Sequence, residues 1–365
     1  MLKIISILLL LISTLGALPR FALQEGSSCN LCHVNPSGGG LRNDYGISVA
    51  SNEISRSEGG SLVSNYTGMI NQYLRVGGDI RLMNYNTFET SPFKSALFPM
   101  QAEIAGHWQI HERFSLVVKQ DVLRNQNKAW VLWTGLPFNG YLKAGKDIPN
   151  YGLKLDDHTS FIRGGNINNK MLQYEGLIFS PYLLSPGMIE YGININNLYI
   201  SQSVANRFIK KASTGGFDEF LHDKAFTTRI EWRPSFFNIN GHLGGSYLQQ
   251  GVIRFSGIYG GIAFKKLSWM GEVDMAEEYA STGTTLASYS EFVYHFVKGC
   301  DVLLKYDYFD GDIDTLGRAI QRVTIGLEIF PVPFIEIRCQ VRFTDYKGSD
   351  AALKEEFIIQ LHTWF

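Results

Sequence analysis

Cys29, Cys32 and His33 stand together in SSCNLCHVNPSGGG, residues 27–40 of a 365-residue chain that holds only four cysteines. Two thiols three residues apart, with a histidine directly after the second, allow two kinds of chemistry. As C-x-x-C-H they form an attachment site for a covalent haem. As a bare C-x-x-C they form a redox dithiol or half of a zinc site. A zinc site needs two further ligands nearby, and the other cysteines, Cys300 and Cys339, fall in distant segments with a strand pattern.

The residues ahead of the motif bear on the compartment. Lys3 precedes the apolar run IISILLLLISTLGA, which is too short for a spanning helix and ends in the small residues Gly16 and Ala17. Residues 1–17 are therefore expected to be an export signal, with a retained membrane anchor as the alternative. Export suits the motif, because haem c is attached outside the cytoplasm in bacteria.

The rest of the chain must position these groups, and its pattern is that of strands. Composition is 45% hydrophobic and 13% aromatic with 37 glycines and a net charge of −1, which suggests neither disorder nor a nucleic-acid binder. After the signal no stretch is long and apolar enough for a membrane helix. From residue 69 onward, segments of about ten residues alternate polar with apolar between Gly, Asn, Asp and Pro clusters. In LFPMQAEIAGHWQIH the apolar set is Phe98, Met100, Ala102, Ile104, Trp108 and Ile110. In PFIEIRCQVRF it is Ile335, Ile337, Cys339, Val341 and Phe343, opposite Glu336, Arg338, Gln340 and Arg342.

A soluble sandwich and a membrane barrel share this period, so the chain end must separate them. EEFIIQLHTWF places Phe357, Ile359, Leu361, Thr363 and Phe365 on one face and finishes on the aromatic, as the last strand of an outer-membrane barrel does. Short turns near 331–333, 297–299, 265–266 and 233–236 alternate with longer loops near 345–354, 309–317, 277–284 and 205–224. That alternation assigns short turns to the periplasm and loops to the exterior. The expected fold is all-β: a transmembrane antiparallel barrel of about 16 strands, with 14 to 18 allowed, over residues 69–365 of the bacterial outer membrane. Between 147 and 187 the alternation demands either an extra strand or a folded-in loop, and the sequence leaves both open.

Residues 18–68 are too few to shelter a haem alone. A barrel of this size has an open lumen, so the segment is expected to sit in it as a plug carrying the haem. Gly38, Gly39 and Gly40 suit a tight turn or close approach to the macrocycle, and equally a flexible linker.

ALPRFALQEGSSCNLCH, residues 17–33, resembles the signature A-x-P-x-F-A…G-x-x-C-x-x-C-H of the fused monohaem c-type cytochrome–porins, whose best-known members are outer-membrane iron oxidases. The matching residues are Ala17, Pro19, Phe21, Ala22, Gly26, Cys29, Cys32 and His33. The resemblance implies one covalent haem c, with Cys29 and Cys32 in thioether bonds and His33 as proximal iron ligand. It also implies an electron conduit between an extracellular donor or acceptor and a periplasmic c-type cytochrome or other carrier. The chain departs from the iron-oxidising members after the histidine, at VNPSGGGLRNDYG, which leaves open whether it is an extracellular iron oxidoreductase.

The distal ligand is not given. Strand parity puts His107, His242, His295 and His362 in the lumen, and Met69 and Met270 are further options. His295 and His362 lie near the periplasmic ends of their strands, within reach of a short plug. Arg42 is a candidate partner for a haem propionate. Asp156, Asp157 and His158 could together attract a metal ion. The competing function is a solute-diffusion or uptake porin with a structural or sensory haem, for which Glu328, Glu336, Arg338 and Arg342 would line the pore.

Overall fold

In a computed structural model the description covers residues 19–57, 60, 65–88, 94–123, 125–153, 160–163, 166–168, 173–177, 185–209, 223–279, 283–315, 317, 319–348 and 353–365. The alternating segments form strands because a period of two gives each strand one apolar face for lipid and one polar face for the interior. In chain order these are β1 (Leu74–Thr87), β2 (Lys94–His111), β3 (Phe114–Asp121), β4 (Gln126–Leu136), β5 (Gly140–Lys146), β6 (Gly187–Ile195), β7 (Leu198–Ala205) and β8 (Ala225–Trp232). There follow β9 (Ile239–Gln250), β10 (Ile253–Phe264), β11 (Leu267–Glu277), β12 (Thr284–Val297), β13 (Cys300–Asp310), β14 (Ile320–Ile329), β15 (Ile335–Tyr346) and β16 (Lys354–Trp364). All neighbours are antiparallel, and β1 pairs with both β2 and β16, so the ring of sixteen closes. Closure is required, because lipid offers no partner to the hydrogen bonds of a free edge. The last residue extends the seam: Phe365 N donates to the Gly78 carbonyl at 3.0 Å, and Gly78 N to the Phe365 carbonyl at 2.9 Å.

The faces follow the expected parity. On β15, Glu336, Arg338, Gln340 and Arg342 are buried while Val341 faces out; on β16, Ile359 and Leu361 are exposed while Gln360 and His362 are buried. Exposed Trp108, Trp133, Trp232, Phe264, Phe292 and Phe296 gather near the short-turn ends, as an interfacial girdle does. With its apolar exterior and closed sheet, the barrel belongs in the outer membrane.

The structure departs from the expectation at two points. Arg81 pairs with Gln101 and Leu82 with Pro99, so Met100 is the extra residue of a bulge. It turns inward to pack with Met83 and Ile358 instead of joining the outward set with Phe98. Loop length also fails to alternate everywhere, since the β9–β10 connection on the loop side is only Gly251–Val252.

The ambiguous segment 147–187 is a folded-in loop. β5 pairs directly with β6, and Asp147 N donates to the Pro186 carbonyl at 3.2 Å, which joins the ends of the segment. Its only strands among the described residues are a small hairpin of Asn166–Asn168 with Gln173–Glu175. The loop crosses the lumen: Gly152 N meets Ser246 Oγ on β9 at 2.8 Å, and Leu153 N meets Glu272 Oε2 on β11 at 2.9 Å. Phe161, Ile162 and Leu177 are fully buried there against Leu248, Phe255 and Ala276 of the wall.

Candidate functional site

Residues 19–49 lie inside the ring. Helix α1 (Pro19–Gln24) buries Arg20, Phe21 and Leu23. A 3₁₀ turn over Cys29–Leu31 follows, then helix α2 (Asp44–Val49), whose N-cap Asn43 accepts the Gly46 amide at 2.9 Å. At the short-turn end the chain leaves along the rim: Arg56 N donates to the Phe330 carbonyl at 2.8 Å, and Lys298 Nζ to the Asn52 carbonyl at 2.6 Å.

Two buried charge clusters seat this segment. Arg20, 2% exposed, meets Glu328, Asp301 at 3.3 Å and Glu291 at 3.7 Å. Burial works against its charge, but the three carboxylates prevail and hold its guanidinium protonated more firmly than usual. On the other side Lys143 of β5 donates to Ser37 Oγ at 3.1 Å and pairs with Asp147 at 3.2 Å and Glu190 at 3.1 Å. Asn35 Nδ2 reaches Asp147 at 3.3 Å.

Within this frame the motif is tightly held. His33 and Arg42 bridge antiparallel, and Val34 N donates to the Leu41 carbonyl at 3.0 Å, so residues 33–42 form a small hairpin. Gly38, Gly39 and Gly40 make its turn with φ of 85°, 78° and 71°. Three successive left-handed residues favour glycine, so the run is a built turn and not a flexible linker. A Cβ on Gly38 would lie 2.7 Å from Cys29 Cβ. On Gly46 of α2 it would lie 2.2 Å from the Cys32 carbonyl oxygen, so the helix seats directly on the motif.

Cys29, Cys32 and His33 share the wall of one cavity, which is partly open to solvent. His33 Nδ1 faces the Gly40 carbonyl at 3.2 Å. As donor in that bond, Nδ1 carries the proton and leaves the lone pair on Nε2, the tautomer and orientation that metal-bound histidines take from such a partner. Burial pushes the Cys32 thiol up to about 11, against the opposing pull of Arg42. A thiol so protonated is a weak nucleophile at neutral pH and does not suit a reactive dithiol. Cys300 on β13 and Cys339 on β15 are free and do not join it. The donor set, the oriented imidazole and the cavity that all three line fit a haem held through Cys29, Cys32 and His33.

Of the candidate distal ligands, His362 alone lines this cavity, and both its nitrogens face carboxylates: Nδ1 to Glu336 at 2.8 Å and Nε2 to Asp79 at 3.2 Å. His295 is committed to Asp301 at 2.7 Å and to Gln24. His242 is buried with its ring edge-on to Tyr259 at 5.9 Å, and neither nitrogen has a hydrogen-bond partner among the described residues. His107 is half-buried on β2 away from the cavity, and Met270 packs in the apolar cluster. Met69 lies on the approach to β1, 38% exposed and bridged to Arg75, and does not line the cavity. Arg42 lines the cavity with its guanidinium 4.8 Å over the Trp364 ring. Asp156, Asp157 and His158 fall outside the described residues, and no metal-binding cluster occurs among those described.

The other charged side chains of the wall were not singled out as site residues in the sequence reading. They include Asp79 and Arg81 of β1, Glu103 of β2, Lys119 of β3, Lys128 of β4, and Asp147 and Arg163 of the folded-in loop, set among uncharged residues such as Val117, Trp130 and Tyr151. Strand parity would have found the first five; nothing local marks Asp147 or Arg163.

No family model and no curated protein matches the sequence. Solved structures do match in fold, and they are outer-membrane porins. OprB of Pseudomonas putida at high pH superposes with a TM-score of 0.57 at 9% identity, over 80% of this chain and 94% of OprB. An anion-selective porin from Comamonas acidovorans gives 0.54 at 10% identity, over 80% and 99% of the two chains. The outer membrane channel DcaP of Acinetobacter baumannii gives 0.54 at 9% identity, over 80% and 97%. The chain thus has the closed sixteen-stranded fold of the outer-membrane porins, and at these identities the likeness extends to fold alone.

Proposed function

We propose that the protein is an outer-membrane electron conduit. One haem c, bound through Cys29 and Cys32 with His33 as proximal ligand, would exchange electrons between an extracellular donor or acceptor and a periplasmic c-type cytochrome or other carrier. The observation that carries this reading is the position of the C-x-x-C-H motif: inside the ring, on a cavity wall, with the imidazole already oriented through Nδ1. A site within the lumen matters because the apolar band of such barrels is about 25 Å tall, so a redox group at one mouth serves only one side. Bound haem supplies a reversible one-electron couple. The chain's own residues would hold it, with the Gly38 turn packed against Cys29 and the Gly40 carbonyl fixing His33.

The occupied part of the lumen supports the same reading. Residues 19–49 and the described part of the folded-in loop take up space inside the ring beside the cavity. A second reading, a solute porin whose haem is structural or sensory, is favoured by the names of the structural neighbours, one of them an anion-selective porin. Reconstitution in liposomes separates the two. An impermeant external reductant should reduce an enclosed acceptor, and replacing Cys29 and Cys32 with alanine should abolish the transfer. Transfer that survives this replacement, or free passage of small solutes through the intact protein, overturns the conduit.

A further inference from the structure

On the cavity wall Lys119 of β3 stands directly opposite Lys128 of β4 in the strand register, and both side chains line the cavity. Like charges at directly opposed positions repel, and a sheet normally avoids them or places a counter-charge between them. Of the carboxylates around them, only Glu103 is in direct ion-pair contact with either lysine. Glu103 of β2 pairs with Lys119, while Lys128 has no ion pair or hydrogen bond among the described residues. The next carboxylate, Asp147, is already committed to Lys143 and Asn35. The pair also adjoins the proximal side of the motif: a Cβ on Gly40 would lie 3.8 Å from Lys119 Nζ, and the carbonyl of Gly40 is the one that faces His33 Nδ1.

Resting on the haem reading above, we propose that the Lys119–Lys128 pair is the seat of a haem propionate, Lys128 supplying the cation and Lys119 bridging it to Glu103. The carboxylate of the cofactor provides the missing negative charge. Each lysine then faces an anion, and the repulsion between them becomes a shared attraction. Arg42, stacked on Trp364, is left a secondary role.

The test uses the full-length haem-loaded protein, with Lys128→Gln compared with Lys128→Arg. Removing a cation beside the macrocycle favours the ferric state, so in an optical redox titration Lys128→Gln should shift the ferric-to-ferrous ratio several-fold toward ferric at fixed potential. Lys128→Arg should restore the wild-type ratio. A second measurement distinguishes this from a merely structural lysine. In the haem-free Cys29→Ala/Cys32→Ala background Lys128→Gln relieves repulsion and should raise the melting temperature, whereas in the loaded protein it should lower it. A coloured wild type whose potential ignores Lys128, with the same sign of melting shift in both backgrounds, overturns this proposal and leaves the haem reading standing. A haem-free protein whose anion selectivity depends on Lys128, beside a loaded protein whose potential does not, assigns the pair to a solute anion and likewise overturns it. A wild type that is colourless after expression with a competent maturation system overturns both.

Discussion

Replacing Arg20 with alanine tests whether the N-terminal segment is held in the lumen by charge. Arg20 is 2% exposed, and its guanidinium is the centre on which Glu328, Asp301 and Glu291 converge from β14, β13 and β12. Glu328 keeps a second cation, Arg338 at 2.9 Å, and Asp301 keeps His295 at 2.7 Å, so the loss falls on three carboxylates of which two retain partial compensation. Removing one partner from a buried ion pair costs about 3–5 kcal/mol, largely because the charge left behind stays desolvated. The carboxylates belong to barrel strands that remain in place whether or not the segment is seated. The cost therefore falls on the seated state alone, because unseating admits water to the carboxylates. At 1.4 kcal/mol per decade this shifts the seating equilibrium by about 10²- to 10³-fold. Hydrogen exchange reads that equilibrium directly. Amides of residues 20–33 should lose about two orders of magnitude of protection in Arg20→Ala while those of β12 to β14 keep theirs. In planar bilayers the same variant should show discrete large openings absent from the wild type. Adding Glu328→Gln should recover part of the loss by removing an uncompensated charge. Protection in residues 20–33 that stays within about threefold of wild type would refute the assignment of Arg20 as the anchor.

Three further outcomes follow from the site and the seam. Gly38→Val, at φ 85° with its Cβ directed 2.7 Å from that of Cys29, should sharply lower covalent haem per mole of protein, measured by absorbance of the denatured chain, while the barrel still assembles. In haem-free protein Cys32 alkylation should rise about tenfold per pH unit through pH 9 and level off only near a thiol pKa of about 11, because burial raises that pKa and keeps the thiolate scarce below it; a plateau near pH 8.5, followed by mass spectrometry, would contradict the burial. Deleting Phe365 removes the paired hydrogen bonds to Gly78 that extend the β1–β16 seam and should reduce the heat-modifiable, folded fraction on gel electrophoresis several-fold.

The strands were legible because lipid and lumen impose opposite demands on alternate residues, and that contrast survives in the sequence wherever the lumen is polar. On β15 every inward residue from Glu336 to Arg342 is polar and every outward one apolar or cysteine. Where the lumen is filled by protein the contrast disappears: Phe255 on β10, Met270 on β11 and Ala287 on β12 face inward and are as apolar as the lipid side. Met100 misled for a different reason, since a bulge moves one side chain across the sheet without changing composition. At the site, Cys29, Cys32 and His33 were legible because their chemistry depends on local spacing. Lys119, Lys128, Arg163 and Asp147 meet them only through barrel closure and the return of the folded-in loop, contacts for which no sequence period exists.

Charged and apolar side chains are interleaved along the lumen, and that mixture bears on what can pass. Between β1 and β4 the cavity carries Asp79, Arg81, Glu103, Lys119 and Lys128 beside Val117 and Trp130, and from β9 to β12 Leu248, Phe255, Ala276 and Ala287 pack on Phe161, Ile162 and Leu177 beside the buried Glu272 and Asp274. A small hydrophilic solute is poorly served by such a route, because its passage would require displacing a dry cluster whose large side chains each contribute about 1.5–3 kcal/mol by burial. On the proposed conduit reading an amphipathic macrocycle would meet both kinds of side chain, and its electron would need proximity and not an open path. Single-channel conductance of the wild-type protein separates the readings: a closed baseline is expected of a conduit, and a steady open level would favour the solute porin.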